Sequence, residues 1–331
     1  MSDVVRWRSG LLLRILVSVL LLCAVLVYAD VGEVAQAVRD GDWAWFAAGA
    51  GLMAVAVVVG GARWRVLLEG AEIEVSRWRA VRVFAGSLVL NNVLPTSVGG
   101  DAVRTWLVGK ESGRLLRAAA ATIVDKVTAL LCLFVLGWAA LAVDPESVPS
   151  SVVGAFAWVT AGLVAALAVA ALAAAGVRPV LHRLPARVAV MVREGWATLR
   201  GWARSGKLVA SLVGLGLAYQ ALAVLALIAV AQTVGVELSF ALAAASASIV
   251  LVAMLIPVSI GGLGVREGGF VLLLGQADIG AAEATLVSLL SAGAVVLASA
   301  AVVAVAAAAE ALRARHAKAG PLPREGPAPG A

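Results

Sequence analysis

Few charged residues of this chain are placed where they could do chemistry, and they come in pairs. In "PTSVGGDAVR", Pro95 to Arg104, an acid, Asp101, stands three residues before a base, Arg104. In "PVSIGGLGVR", Pro257 to Arg266, the arginine returns and Glu267 follows it at once. A third pair, Asp125-Lys126, lies in the body of a long apolar run. Proline removes a donor and stops a helix. Gly99-Gly100 and Gly261-Gly262, the latter continued by Gly264, permit sharp turns and leave amides unshielded. A helix restarting after such a turn aims free N–H groups, and the positive end of its dipole, at whatever lies before it. That arrangement favours an anion, and guanidinium matches phosphate bidentately. The predicted chemistry is therefore two amide-plus-arginine cradles for a phosphate-bearing substrate, with Asp101, Glu267 and Asp125 as partners that release and rebind the arginines. Salt bridges that merely pin the two turns are the competing reading of the same residues.

Other polar groups sit at the same depth. Asn91-Asn92, one turn before Pro95, are either ligand contacts or caps of the broken helix end. Ser97 and Ser259 suit capping or a hydroxyl ligand. Asp125 is expected to face the interior, toward a hairpin arginine or a proton path, and Lys126 to serve the site or to snorkel to the interface. No G-x-S-x-G, H-E-x-x-H or Walker sequence occurs, and G-G-L-G is no dinucleotide fingerprint without a strand before it. Cys23, Cys132, His182 and His316 are too scattered for a metal cluster. Neither enzymatic activity nor a cofactor is predicted.

The elements that position these residues are set by composition. Apolar residues make up 62% of 331 positions, charged residues 14%, and mean hydropathy is +1.00, which reads as an integral membrane protein. The fold class predicted is an all-α polytopic helical bundle. Six runs are long enough to cross: Leu11–Ala29, Trp43–Ala62, Arg117–Val143, Val152–Gly176, Leu208–Gln232 and Ala284–Ala309. Leu11–Ala29 is too long for a signal-peptide core and reads as an uncleaved first helix. Two interrupted regions, Ala80–Lys110 and Phe240–Ile279, hold the Pro-Gly motifs and read as broken, re-entrant hairpins.

Loop charge sets the topology. Arg6, Arg8 and Arg14, the segment Arg63–Arg82, the segment Arg178–Lys207 and the tail with Arg313, Arg315 and Lys318 are basic and read as cytoplasmic. Asp30–Asp42 and Asp144–Ser151 are acidic and read as external. The hairpins then dip in from opposite faces. Pro95 and Pro257 are 162 positions apart, and Ile73-Glu74-Val75-Ser76 resembles Val236-Glu237-Leu238-Ser239 at nearly that offset. The pattern predicts inverted-topology repeats, residues 1–143 and 144–310, with a site near mid-bilayer. The connector 178–207 is either a solvated link or a helix on the membrane surface, and 311–331 forms a disordered tail. The net charge of +6 lies between apolar runs, which argues against nucleic-acid binding.

"NNVLPTSVGGDAVRTWLVGK", Asn91–Lys110, and "IPVSIGGLGVREGGFVLLL", Ile256–Leu274, resemble the two motif regions of the lysylphosphatidylglycerol synthase transmembrane, or flippase-like, family. Asp125-Lys126 is similar to that family's acid-Arg pair, with Lys in place of the usual Arg. The resemblance runs from about Leu11 to Ala309. Some relatives carry a soluble aminoacyl-transferase or glycosyltransferase domain; this sequence reads as the membrane unit alone. The resemblance implies translocation of an anionic phospholipid, an aminoacylated lipid or a polyprenyl-linked intermediate across the cell (inner) membrane, with both termini cytoplasmic. Its expected partners are membrane lipids with an anionic headgroup, and a separately encoded lipid-modifying enzyme is a further candidate. The alternatives are a secondary transporter or channel for a small soluble anion, or a membrane partner of such an enzyme.

Overall fold

The computed structural model describes residues 18, 20–21, 23–25, 27–94, 99–176, 201–202, 204–256, 259 and 261–318. Most of Leu11–Ala29, most of the connector 178–207, the motif residues Pro95, Thr96, Ser97, Val98, Pro257, Val258 and Ile260, and the tail beyond Lys318 lie outside that set. The described residues form helices α1 (Val31–Asp40), α2 (Trp43–Gly70), α3 (Arg77–Val93), α4 (Gly99–Ser112), α5 (Leu115–Val143), α6 (Ser150–Gly176), α7 (Gly206–Gln232), α8 (Phe240–Ala253), α9 (Val265–Leu274) and α10 (Ala281–Lys318). Short 3₁₀ turns follow α5 and α9.

Length separates two kinds of helix. Five helices, α2, α5, α6, α7 and α10, are long and apolar enough to cross a membrane. A 28-residue helix such as α2 extends about 42 Å against a hydrocarbon core of about 30 Å. At 17, 14, 14 and 10 residues, α3, α4, α8 and α9 are shorter. The 10 residues of α9 reach only about 15 Å. The chain is thus an all-α, multi-pass membrane bundle in which two hairpins of short helices, α3–α4 and α8–α9, are held among long ones.

The frame is the antiparallel pair α2 and α7. The Asp42 amide donates to the Thr233 carbonyl at 2.9 Å, joining the start of α2 to the end of α7. At the other end, Gly70 lies against Trp202 and Leu208. The segments leaving this pair fold alike. Residue 72, at the end of α2, and residue 235, at the end of α7, both adopt positive φ, 60° for Glu72 and 72° for Gly235. The next amide reaches back five residues in each case, Ile73 to Leu68 at 2.8 Å and Val236 to Ala231 at 3.1 Å. This bond closes orphan carbonyls at a helix end. Three residues later a serine caps the next helix. Ser76 Oγ accepts from the Arg79 amide at 3.3 Å, and Ser239 Oγ from the Leu242 amide at 3.1 Å. The two corners stand at opposite ends of an antiparallel pair, so the hairpins they launch enter the bundle from opposite ends.

Charge segregates the same way. Asp42 and Glu237 stand at the 233–239 corner, whereas the 71–76 end carries Arg77, Arg79, Arg82, Arg114 and Arg117. Four of the latter are clipped to acids, Arg82 to Glu310 at 2.6 Å, Arg117 to Glu72 at 2.5 Å and Arg114 to Glu72 at 3.2 Å, with Arg79 bonded to Glu111 across the feet of α3–α4.

One helix end departs from the sequence expectation. Loop charge puts Arg63 in a basic segment that begins after Ala62, yet α2 continues to Gly70 and Arg63 lies inside it, 2% exposed. The reason is on both sides of it. Trp64, Leu67 and Leu68 resume the apolar run and are themselves fully buried, and a carboxylate waits opposite.

Candidate functional site

The two hairpin tips meet in the middle of the bundle. Gly261, in the left-handed region at φ 57°, comes so close to the Asn92 carbonyl that a Cβ there would stand 2.7 Å from its oxygen. Around this meeting point is a cavity of ≈ 370 Å³. Among the described residues four cations line it, Arg63, Arg104, Lys126 and Arg266, against two carboxylates, Asp101 and Asp125. Asn91, Asn92, Gln220 and Ser291 add polar groups, and Leu88, Leu133, Met254 and Phe270 belong to the apolar remainder.

The first half supplies a chain of alternating charge. Asp125, on α5 and 2% exposed, accepts from Arg63 Nε through Oδ1 at 2.8 Å and from Arg104 Nη2 through Oδ2 at 2.9 Å. Arg104 Nη2 also faces Asp101 Oδ1 at 3.0 Å, one helical turn back on α4. Asp101 Oδ2 takes the Lys126 ammonium. Neighbours on α5 thus serve different partners, since consecutive side chains diverge by about 100°. The Arg104 guanidinium is further enclosed between the rings of Trp64 and Phe84, each 5.0 Å away, and Arg63 lies over Tyr219 at 5.3 Å. Aromatic faces stabilise such cations, more so out of water. Arg104 Nε and Nη1 and Arg63 Nη1 are buried without a hydrogen-bond partner among the described residues.

The second half is a smaller cluster on α9 and α10. Arg266 donates to Glu267 Oε1 through Nη2 at 2.6 Å and Nε at 3.0 Å, and through Nε to Ser288 Oγ at 3.2 Å. Glu267 is fully buried, and its Oε2 accepts the Gly264 amide at 2.6 Å. The carboxylate therefore caps the start of its own helix, a site where negative charge is favoured. Gly264 holds φ 81°, a conformation that L side chains rarely adopt.

The structure thus brings together Asn91, Asn92, Asp101, Arg104, Asp125, Lys126, Gly261 and Arg266 around one cavity, with Glu267 directly behind Arg266. Gly99, Gly100, Gly262 and Gly264 form the restarts beside it, Ser259 is buried at the second tip, and Ser97 is outside the described residues. One expectation changes, that of free amides at the restarts, and two open readings narrow. Lys126 does not snorkel away; it pairs with Asp101. The restarting amides are not all free, because Asn91 Oδ1 takes the Gly100 amide at 2.8 Å and Glu267 takes that of Gly264. Asn92 bonds back to the Leu88 carbonyl at 2.9 Å, capping its own helix. Arg63, Tyr219 and Gln220 are the residues that sequence reasoning left out.

Comparison with known proteins bears on this architecture. The model of the lysylphosphatidylglycerol synthase TM region matches residues 11–303 of the 331. The chain belongs to that family. The match takes in both hairpins and every residue of the cavity. No curated protein and no solved structure gives a match. As a lysylphosphatidylglycerol synthase TM family member, the chain is a multi-pass membrane protein with a membrane-lipid-related function.

Proposed function

We propose that the chain translocates a lipid with an anionic headgroup, an anionic phospholipid, an aminoacylated lipid or a polyprenyl-linked intermediate, from one leaflet to the other. The observation that carries this reading is the cavity of ≈ 370 Å³ at which two hairpins from opposite ends meet, lined by four cations and two carboxylates. Buried charge in a membrane protein is costly and marks a substrate or ion path. A pocket of this volume is in the range that holds a small organic group. Broken helices meeting from opposite sides are the arrangement by which one site is opened to each face in turn. The apolar walls suit the glycerol and upper acyl carbons, and Leu255 and Ile256, 40% and 60% exposed at the second tip, give the cavity an apolar edge toward lipid. In this reading the two halves are inverted repeats and the protein does no bond chemistry. Residues 71–76 form the cytoplasmic end, since arginines concentrate there, and both termini share that side of the inner membrane.

The test is reconstitution of the full chain into vesicles holding acyl-labelled phosphatidylglycerol, with headgroup exposure followed by an impermeant quencher. Translocation above that of protein-free vesicles is expected. A rate equal to the protein-free control, with phosphate or sulfate flux instead, would replace the lipid reading by transport of a small soluble anion.

A further inference from the structure

The four cations of the cavity are not equivalent. Arg63 and Arg104 are sealed: each guanidinium is 2–3% exposed, bonded to Asp125 and covered by an aromatic ring. Their unpartnered donors, Arg63 Nη1 and Arg104 Nε and Nη1, are themselves buried, so an anion reaching either must first displace the packing around them. Lys126 and Arg266 are different. The Lys126 side chain is 33% exposed, and of its ammonium donors one is engaged, by Asp101. The Arg266 side chain is 11% exposed and directs Nε and one Nη2 donor backward to Glu267 and Ser288. That leaves Nη1 and the second Nη2 hydrogen without a partner among the described residues, on the side of the guanidinium away from Glu267. Both residues line the same cavity, one from each half of the chain.

The geometry points to a phosphate-anion site bridging Lys126 and Arg266, with Arg63, Asp125 and Arg104 acting as positioning residues and not as ligands. Each cation already has a carboxylate that fixes its direction, Asp101 for Lys126 and Glu267 for Arg266. Neither carboxylate uses up its donors, so an anion can bind without displacing either. Asp101 is shared with Arg104, so Arg63, Arg104, Lys126 and Arg266 stand against Asp101, Asp125 and Glu267, which leaves a small positive excess, of the sign that suits an anion, when the site is empty. The Arg63–Asp125–Arg104 group fixes α2, α4 and α5 to one another, and so sets where Lys126 stands. The inference rests on the lipid reading only for the source of the anion; the chemistry of the site is that of a phosphate group.

The test is binding, kept separate from transport. Acyl-labelled phosphatidylglycerol is titrated into the purified full chain in a neutral detergent, against labelled phosphatidylcholine as the zwitterionic control. Lys126→Gln and Arg266→Gln should each weaken phosphatidylglycerol binding by about tenfold or more, the loss of a charge-assisted contact. Lys126→Arg should stay within about threefold. Wild-type affinity should fall between 50 and 500 mM NaCl on the order of tenfold for two phosphate contacts. Phosphatidylglycerol binding that survives both Gln substitutions, or is indifferent to salt in the wild type, would overturn the site; the salt arm needs no variant and is immune to misfolding. Displacement by millimolar inorganic phosphate would keep the anion site and overturn its lipid source. Should vesicles show no translocation while the Gln variants lose binding, the site stands and the transport reading falls. Translocation with unaltered binding in the variants would do the reverse.

Discussion

Asp125 is the residue on which the first-half cluster turns, and Asp125→Asn is its sharpest test. The substitution keeps shape and removes one negative charge at a position 2% exposed. It also puts an amide donor where one arginine now donates. Arg104 keeps Asp101 at 3.0 Å, but Arg63 has no second carboxylate within ion-pair distance among the described residues. The cost is therefore that of orphaning one buried guanidinium, about 3–5 kcal/mol. A Coulomb estimate agrees, since unit charges 4 Å apart at an effective dielectric of 20 interact by about 4 kcal/mol. Arg63→Met in the Asp125→Asn background removes the orphan and should recover at least half of that loss. The assay is thermal unfolding in detergent, followed by tryptophan fluorescence, because Trp64 stands against Arg104. Asp125→Asn should lower the midpoint by at least about 5 °C, and the double variant should melt nearer the wild type than Asp125→Asn does. If Asp125→Asn melts within about 1 °C of wild type, or if the two single costs simply add in the double variant, the reasoning about a shared carboxylate is refuted.

Three further outcomes are expected. A Cβ on Gly100 would lie 1.9 Å from the Ser87 carbonyl oxygen, so Gly100→Ala should destabilise the α3–α4 hairpin by about 2 kcal/mol or more, whereas Gly86→Ala, inside α3 with nothing within 4 Å, should be neutral or stabilise by up to about 1 kcal/mol on the same melts. The Glu72 carboxyl is held below its usual range by hydrogen bonding from Arg117 and the charges of Arg117 and Arg114; its contribution is present above the unfolded value, about 4.3, and lost as pH falls through the folded one. The difference in midpoint between wild type and Glu72→Gln should accordingly be constant at neutral pH and shrink below about pH 4. Single cysteines replacing Glu74 and Glu237, equivalent exposed positions of the two corners, should react with an impermeant thiol reagent from opposite sides of the membrane in a background free of Cys23 and Cys132; labelling of both from one side would contradict the opposed hairpins.

The hairpins and their motifs were legible because proline, paired glycines and arginine are rare in an apolar chain and returned in the same order. The tetrapeptides ending at Ser76 and Ser239 were legible too, and their likeness turned out to be a shared turn and cap. Arg63 was not, because charge counting assigns any arginine at the edge of an apolar run to a loop. The signal was there in Trp64, Leu67 and Leu68 just beyond it, which lengthen the run past the charge. The occupied amides were half legible. Glu267 stands three residues after Gly264, the spacing at which a side chain reaches back to a helix start. Asn91 on Gly100 could not be read from spacing, because it depends on how α3 and α4 are placed against each other. Nor does a one-dimensional pattern reveal that Arg104 is enclosed by rings from α2 and α3.

Two corners at opposite ends of one helix pair also constrain how the protein is assembled. A hairpin enters and leaves on one side, so whichever end faces the ribosome, one hairpin has to be threaded from the far side. If the arginine-rich end is the near one, residues 233–239 must be exported before α8 can turn back. Its tip then finds in the bundle what lipid cannot provide, for Gly261 closes on the backbone of Asn92. The first hairpin is thereby a template that must be seated before the second can settle. Truncations ending just after α7 should leave the α3–α4 tip without its cover and open to proteolysis or extraction.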